Sequence, residues 1–419
     1  MNFIKEVTVK NFFSIKNEVS VKFEASEYTV TQHPYRVFEF NSSYTNKLSA
    51  FYGANASGKT TFLKALVVLS HTISDKNSEF FPISYKNIYN AKNINSFIQV
   101  VFVLNNQEYT YRVDFISDND NTNIGIKNEF LKIKKNGKNI TLLNRGKEIF
   151  KDLNSKNIEN ILFEKVSSKQ SLLIESLTRV NDYEEIVKFY DCLAFSTNIT
   201  GTSSVSMQVD KKDDLLFALL FSNIENKAFT TKDIEDIDKD AFYKFLFSFL
   251  QSINLDISGA ESEIDIQELK EKEVNIDLNI DIIHTINKKK KLNFNFESSG
   301  TKMLFKILFN LFYAHKNKSI LVLDELDSML HPMLVPIINL IAIKNDIQLI
   351  YTTHNIQNMK YLYSDEIFLI EKDKKHFTSI VNLKDNYQGY ENFEKLYRNK
   401  QLGGIPELSK INLDMLVID

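Results

Sequence analysis

Leu48-Ser49-Ala50-Phe51-Tyr52-Gly53-Ala54-Asn55-Ala56-Ser57-Gly58-Lys59-Thr60-Thr61-Phe62-Leu63 is the stretch on which the fold of this chain turns. Leu48 to Tyr52 reads as a short apolar strand, Gly53 to Gly58 as a loop, and Lys59 to about Thr72 as a helix with Leu63, Leu66, Val67 and Leu69 at helical spacing. Gly53 to Thr60 therefore satisfies G-x-x-x-x-G-K-[ST] in its required context, after a strand and before a helix. The glycines let backbone amides turn inward around a phosphate, and the helix N-terminus adds a favourable dipole. Lys59 is expected to reach the β- and γ-phosphates of a nucleotide and the Thr60 hydroxyl to coordinate Mg²⁺. The candidate phosphate-binding set is Gly53, Asn55, Ala56, Ser57, Gly58, Lys59, Thr60 and Thr61. Only 11 glycines and 5 prolines occur in 419 residues, well below the usual roughly 7% and 5%, so a glycine loop of this form carries information.

Working outward, Ile320-Leu321-Val322-Leu323-Asp324-Glu325 is a buried-strand pattern ending in two acids. Asp324 is the candidate holder of the Mg²⁺ shell, and Glu325 the candidate group that polarises an attacking water. Another strand, Gln348 to Thr352, leads to His354, which stands where an imidazole could sense a γ-phosphate. Strand-end acids and lone histidines are common in any protein; their order after a phosphate loop is what raises these three.

The rest of the chain frames these motifs. Ile4 to Phe23 reads as an N-terminal hairpin, and Phe97 to Leu104 pairs with Glu108 to Phe115 around Asn105-Asn106-Gln107. A second hairpin, Phe130 to Lys135 and Lys138 to Leu143, carries Asn136-Gly137, a pair suited to a type I′ turn. Helical patterns follow at about 157–193, 213–224 and 232–253. Val274 to Ile282 and Leu292 to Phe296 alternate as strands, a helix is expected from about Gly300 to Ala314, and another over Pro336 to Lys344. The expected organisation is an α/β head built from residues 1–115 and 285–419, with a mostly helical insertion over 116–284 that lacks sustained heptads.

Apolar residues make up 43% and charged residues 25%, and 51 Lys and Arg face 54 Asp and Glu for a net charge of −3. That balance excludes a disordered or collagenous chain and does not favour a general nucleic-acid coat. One cysteine, Cys192, excludes an intrachain disulfide or zinc cluster. The start, Met1-Asn2-Phe3-Ile4-Lys5-Glu6, lacks an export signal, and no apolar run approaches the ~20 residues needed to span a bilayer. A cytoplasmic protein without a membrane anchor is expected.

With these residues in view, the chain resembles an ABC-type ATPase head. The phosphate loop stands as Walker A, Glu297-Ser298-Ser299-Gly300-Thr301 as the signature, Asp324-Glu325 as Walker B, Asp327-Ser328-Met329-Leu330-His331-Pro332 as the D-loop and His354 as the H-loop. More closely, Asn11-Phe12-Phe13-Ser14-Ile15, Glu297 to Thr301, Leu323 to Pro332, Tyr351 to Asn355, Glu366 to Lys372 and Gly403-Gly404-Ile405-Pro406 resemble segments of the AAA-family-fifteen ATPases of bacterial phage-defence systems, the RloA, AbiL and PARIS AriA group, whose heads are related to SMC, RecF and OLD ATPases. The resemblance covers about 1–115 and 285–410. The signature departs from the transporter form, leaving its role to Ser298 and Gly300 with Ser299 and Thr301 alongside, and His331 replaces the transporter aspartate of the D-loop, beside Ser328 and Leu330. Gln99, Gln107 and Gln208 remain alternatives for the Q-loop.

The resemblance implies ATP and Mg²⁺ as ligands, and a homo-oligomer in which one copy's signature serine caps the γ-phosphate held by another. It further implies a separate effector protein, of Toprim or other nuclease type, and a phage-encoded trigger. A RecF- or SMC-like repair ATPase acting directly on DNA is the alternative. The 65 residues after His354 are too few for a Toprim domain in the same chain. Lys288 to Lys291 is either a solvated turn or a contact for nucleic acid or a partner. Phe242, Phe245, Leu246, Phe249 and Leu250 form an apolar helical face for either a core or an interface.

Overall fold

The computed structural model describes residues 2–74, 95–117, 124–145, 196–197, 238–253, 255–268, 274–285, 290–318, 320–373, 375 and 377–405. The elements begin with β1 (Asn2–Lys10), β2 (Val19–Lys22), α1 (Glu27–Gln32), β3 (Val37–Phe40), β4 (Ser43–Asn46), β5 (Leu48–Tyr52) and α2 (Lys59–Ser74). They continue with β6 (Ser96–Leu104), β7 (Gln107–Ser117), β8 (Ile124–Lys135), β9 (Lys138–Asn144), β10 (Ser196–Thr197) and α3 (Lys239–Ser252). Next come β11 (Ile257–Glu268), β12 (Val274–His284), β13 (Lys290–Asn293), α4 (Ser299–Asn317), β14 (Ile320–Leu323) and α5 (Leu334–Lys344). The last are β15 (Gln348–Thr352), β16 (Ile367–Lys372), β17 (Thr378–Asn382) and α6 (Phe393–Arg398).

One sheet, ordered β10-β14-β15-β5-β16-β17, is parallel except for β17. Its strands are apolar on both faces because both faces are covered. Leu48, Ala50, Tyr52, Leu321, Leu323, Leu349, Tyr351, Ile367 and Leu369 face a core shared with α3, α4 and α5. The alternate residues Phe51, Ile320, Val322, Ile350, Phe368 and Ile370 face a second core with α2 and the other large sheet. Phe51 lies between Phe62 of α2 and Phe368 of β16, at centroid distances of 5.0 and 4.8 Å. The strand that enters the phosphate loop is thereby wedged from both sides.

The second sheet, β2-β1-β6-β7-β8-β9, is antiparallel throughout. Its turns follow the expected chemistry: Asn105 and Asn106 both take positive φ, as do Asn136 and Gly137. The sheets are joined by Gln348 of β15, whose side-chain amide accepts from Ile4 N at 2.7 Å and donates to Ile4 O at 2.9 Å, beside the β1 irregularity between Ile4 and Glu6.

Two expectations need correction, and one open alternative is decided. The N-terminal sheet does not end at 115: β8 and β9 pair onto β7, so the second hairpin extends the head rather than opening an insertion. Ile257–Glu268, unread in the sequence, pairs with β12, and Leu292 to Phe296 is a short strand followed by a 3-10 turn at Phe294–Phe296. Asn293 causes that turn, its side chain accepting from Asn295 N. The apolar face of α3 is core: Phe242, Leu246 and Leu250 are fully buried, and Phe242 packs on Phe309 and Phe312 of α4. The helical patterns at 157–193 and 213–224, and Cys192 and Gln208, lie outside the described residues.

Candidate nucleotide site

The three loops that carry the motifs all leave the carboxyl ends of neighbouring parallel strands: Gly53 after β5, Asp324 after β14 and Thr353-His354 after β15. Open α/β sheets place ligands at that end. The loop from Gly53 turns with Ala56 at φ 60° and Gly58 at φ 111°, then opens directly into α2 at Lys59. Gly58 has to be glycine, because a side chain there would strike the hydroxyls of Thr378 and Ser14. Thr378 Oγ1 lies 2.8 Å from both the Ser57 carbonyl oxygen and the Ser14 hydroxyl, and Ser14 Oγ lies 3.4 Å from Thr61 Oγ1. The loop is thus braced from outside by two hydroxyls from distant parts of the chain.

Lys59 is buried, its Nζ donating to the Gly53 and Ala54 carbonyls at 2.9 and 3.0 Å. Burial pulls its ammonium below the ordinary lysine value, against the opposing fields of Asp324, Glu325 and Asp327. Ser57 Oγ is buried in the loop without a hydrogen-bond partner. A polar loop with an orphaned hydroxyl and a buried cation fits a phosphate chain, since each stands ready to meet an anionic oxygen.

Thr352 organises the acids. Its hydroxyl accepts from Glu325 N at 2.7 Å and donates to Asp324 Oδ1 at 2.5 Å. Glu325 holds φ 51°, a left-handed conformation that a residue with a Cβ adopts at a cost, and its side chain is exposed. Asp327 Oδ1 accepts from His354 N at 3.3 Å. Partial burial, and then Lys59, lower the His354 imidazole below its ordinary value, with Asp327, Glu325 and Asp324 opposing. The expected residues Lys59, Asp324, Glu325 and His354 are therefore brought together. Three carboxylates act on one ammonium there, but no group of three or more His, Cys, Asp or Glu among the described residues could hold a metal ion by itself, so a divalent cation at this place would need further oxygen ligands from a bound phosphate or water.

Ser298 is the N-cap of α4: its Oγ accepts from Thr301 N at 3.0 Å and lies 2.8 Å from Thr301 Oγ1. Ser298 and Ser299 are exposed, and a side chain at Gly300 would press on the Met329 carbonyl at 3.0 Å. The segment expected as the signature thus abuts the one expected as the D-loop in the same chain. Within the D-loop, Ser328 is exposed and its N–H donates to Glu325 O, Leu330 is buried, and exposed His331 accepts from Met333 N. Gln99 sits mid-strand opposite Arg112 and Gln107 at the hairpin turn opposite Leu104, so the Q-loop stays unassigned.

The residues missed in the sequence are Thr352, Asp327, Ser14 and Thr378. Asp327 and Ser14 lay inside quoted motifs, but their roles depend on which strand ends meet. Thr352 acts because β14 and β15 pair with Leu323 opposite Tyr351.

Residues 48–358 match the family described as "AAA domain, putative AbiEii toxin, Type IV TA system". No curated protein matches the chain. Among solved structures, the SMC head bound to the C-winged helix domain of ScpA is 14% identical, over 90% of this chain and 97% of that one, at a TM-score of 0.46. The SMC head domain from Thermotoga maritima is 15% identical, over 90% and 98%, at 0.38. The SMC head with an extended coiled coil bound to the C-terminal domain of ScpA, from Pyrococcus furiosus, is 15% identical, over 96% and 100%, at 0.41.

Proposed function

The chain belongs to the AAA-domain family that matches residues 48–358, and from that premise we propose that it binds and hydrolyses ATP with Mg²⁺ as the regulatory subunit of a bacterial anti-phage system. In this reading it oligomerises around ATP and controls a separate toxic effector, a nuclease, in response to a phage-encoded trigger. The observation that carries the ATPase part is the convergence of Lys59, Asp324, Glu325, Asp327 and His354 at the carboxyl ends of adjacent parallel strands. The family's description, with its toxin and type IV toxin–antitoxin terms, supports a toxin-linked setting over chromosome repair.

Mg²⁺, held by Thr60 and a shell ordered by Asp324, would neutralise charge on the phosphates. The chain's own residues do the rest. Lys59 exchanges its loop carbonyls for phosphate oxygens, Ser57 contributes its unpartnered hydroxyl, and Glu325, exposed and held by its own N–H on Thr352, orients and deprotonates water. His354 donates one hydrogen bond to the terminal phosphate, whose ionised oxygens only accept. Ser298, exposed at the start of α4, acts on nucleotide held by a second copy of the chain, which supports a homo-oligomer.

Two measurements test this. Lys59→Ala should lose affinity for a fluorescent ATP analogue, and retained affinity would refute the site. Ser298→Arg should bind nucleotide yet neither associate nor hydrolyse, while mixing it with Lys59→Ala should restore part of the activity. A mixture as inactive as both parents excludes a shared site. In cells, the chain expressed alone should be harmless and toxic only when co-expressed with an effector protein; toxicity alone would make the chain itself the toxin, and ATP-dependent DNA binding would favour the repair alternative.

A further inference from the structure

We propose that Leu402-Gly403-Gly404, near the C-terminal end of the described chain, is a strap that holds the phosphate loop in its binding shape, so that nucleotide affinity is set in part from there. This rests on the nucleotide-site reading above and concerns how that site is supported. Gly53, the first residue of the loop, lies against β16: a side chain there would run into the Ile370 carbonyl oxygen. Gly404 covers the same spot, where an added Cβ would stand 3.6 Å from Gly53 Cα, 3.6 Å from Ile370 O and 3.6 Å from Leu369 Cβ. Gly53 thus lies against the backbone of β16, and Gly404 stands over the same spot with room for about one methyl group between them.

The strap is itself fixed by side chains. Gly404 N donates to Glu371 Oε1 at 2.7 Å, and its carbonyl accepts from Tyr397 OH at 2.8 Å. Gly404 takes φ 74°, and Gly403 rests so closely on the Glu371 carboxylate that a side chain there would push it aside. Leu402 is buried in the core that contains Ile367 and Leu369. Glu371 lies at the exposed end of β16, so it can be changed without opening that core. Its carboxylate ties the strap down; the strap then limits how far the Gly53 end of the loop can relax away from phosphate. Linkage makes the effect mutual: a strap that favours bound nucleotide must be stabilised by it.

The test uses the full chain, the fluorescent ATP analogue and hydrogen exchange. Glu371→Ala should weaken affinity severalfold, at most about tenfold, the size of one hydrogen bond if all of it is coupled to binding, and Glu371→Gln, which keeps an acceptor oxygen, should recover most of it. Gly403→Ala should weaken affinity similarly by displacing Glu371, and the double variant with Glu371→Ala should be no weaker than the worse single one. ATP should slow amide exchange across residues 402–405 in the wild type and leave it unchanged in Lys59→Ala. Wild-type affinity in Glu371→Ala, or no ATP-dependent protection of the strap while Lys59→Ala loses binding, overturns the strap. Undiminished binding by Lys59→Ala overturns the site reading instead.

Discussion

At Glu325 the backbone carries a conformational cost at an exposed carboxylate. A non-glycine residue in the left-handed region costs roughly 1–2 kcal/mol, and Thr352 holds Glu325 there through its N–H. Glu325→Gly should therefore raise stability by about 1 kcal/mol in denaturant unfolding while abolishing hydrolysis; Glu325→Gln should keep wild-type stability, bind ATP and turn it over very slowly. Thr352→Val, which leaves Asp324 and the Glu325 N–H without a partner, should cost roughly 1.5–3 kcal/mol and lower kcat, with Thr352→Ser recovering both. His354 supplies a pH readout. Its imidazole is lowered by partial burial and by Lys59, so its titration midpoint followed by NMR should lie below the ordinary 6.5. Lys59→Ala removes an opposing cation and should move the midpoint up; Asp324→Asn removes a favourable anion and should move it down.

At the scale of elements, α4 begins at the segment proposed as the signature, and its cap is Ser298. Ser298→Ala should cost about 1 kcal/mol of stability through the lost cap, separable from its effect on ATP-dependent association because Ser298→Asp restores a cap but not a neutral hydroxyl. The same scale shows how far the sequence could be read. The phosphate loop, the strand ending in Asp324 and both asparagine turns were legible because glycine, asparagine and apolar period are local signals, and the expected α/β fold, with the phosphate loop between a parallel strand and a helix, is the one observed. β11 was not legible: its first half, Ser258-Gly259-Ala260-Glu261-Ser262-Glu263, lacks apolar alternation, and the strand as a whole is held by eleven partner positions on β12. The pairing of β8 with β7 was likewise invisible, since strand neighbours are chosen by the sheet and not by either strand alone. The Thr352 hydroxyl and the Gly404 strap depend on register and on contacts across the chain, which no window of sequence contains.

At the scale of the molecule, the two ends of the chain are locked by a buried ion pair. Arg36 gives Glu366 two hydrogen bonds, at 2.8 and 2.7 Å, beneath the Tyr363 ring, while Asp365 accepts from Ser26 N and the Thr29 hydroxyl. Burial pulls the Arg36 guanidinium down, but Glu366 outweighs it and holds the charge. Arg36→Ala should cost about 3–5 kcal/mol because it strands a buried carboxylate, whereas Arg36→Met with Glu366→Leu should cost much less; equilibrium unfolding of the three variants checks this.

The position of β5 also sets a timetable for synthesis. This strand is central, yet both its neighbours, β15 and β16, are made some 300 residues later. At about 5–20 residues per second, the ribosome needs on the order of 15–60 s to supply them, and for that interval the strand that enters the nucleotide loop has two unpaired edges. A nascent chain halted before residue 320 should therefore be held by chaperones or aggregate, and two fragments divided between residues 146 and 195 should recover ATP binding only when made together.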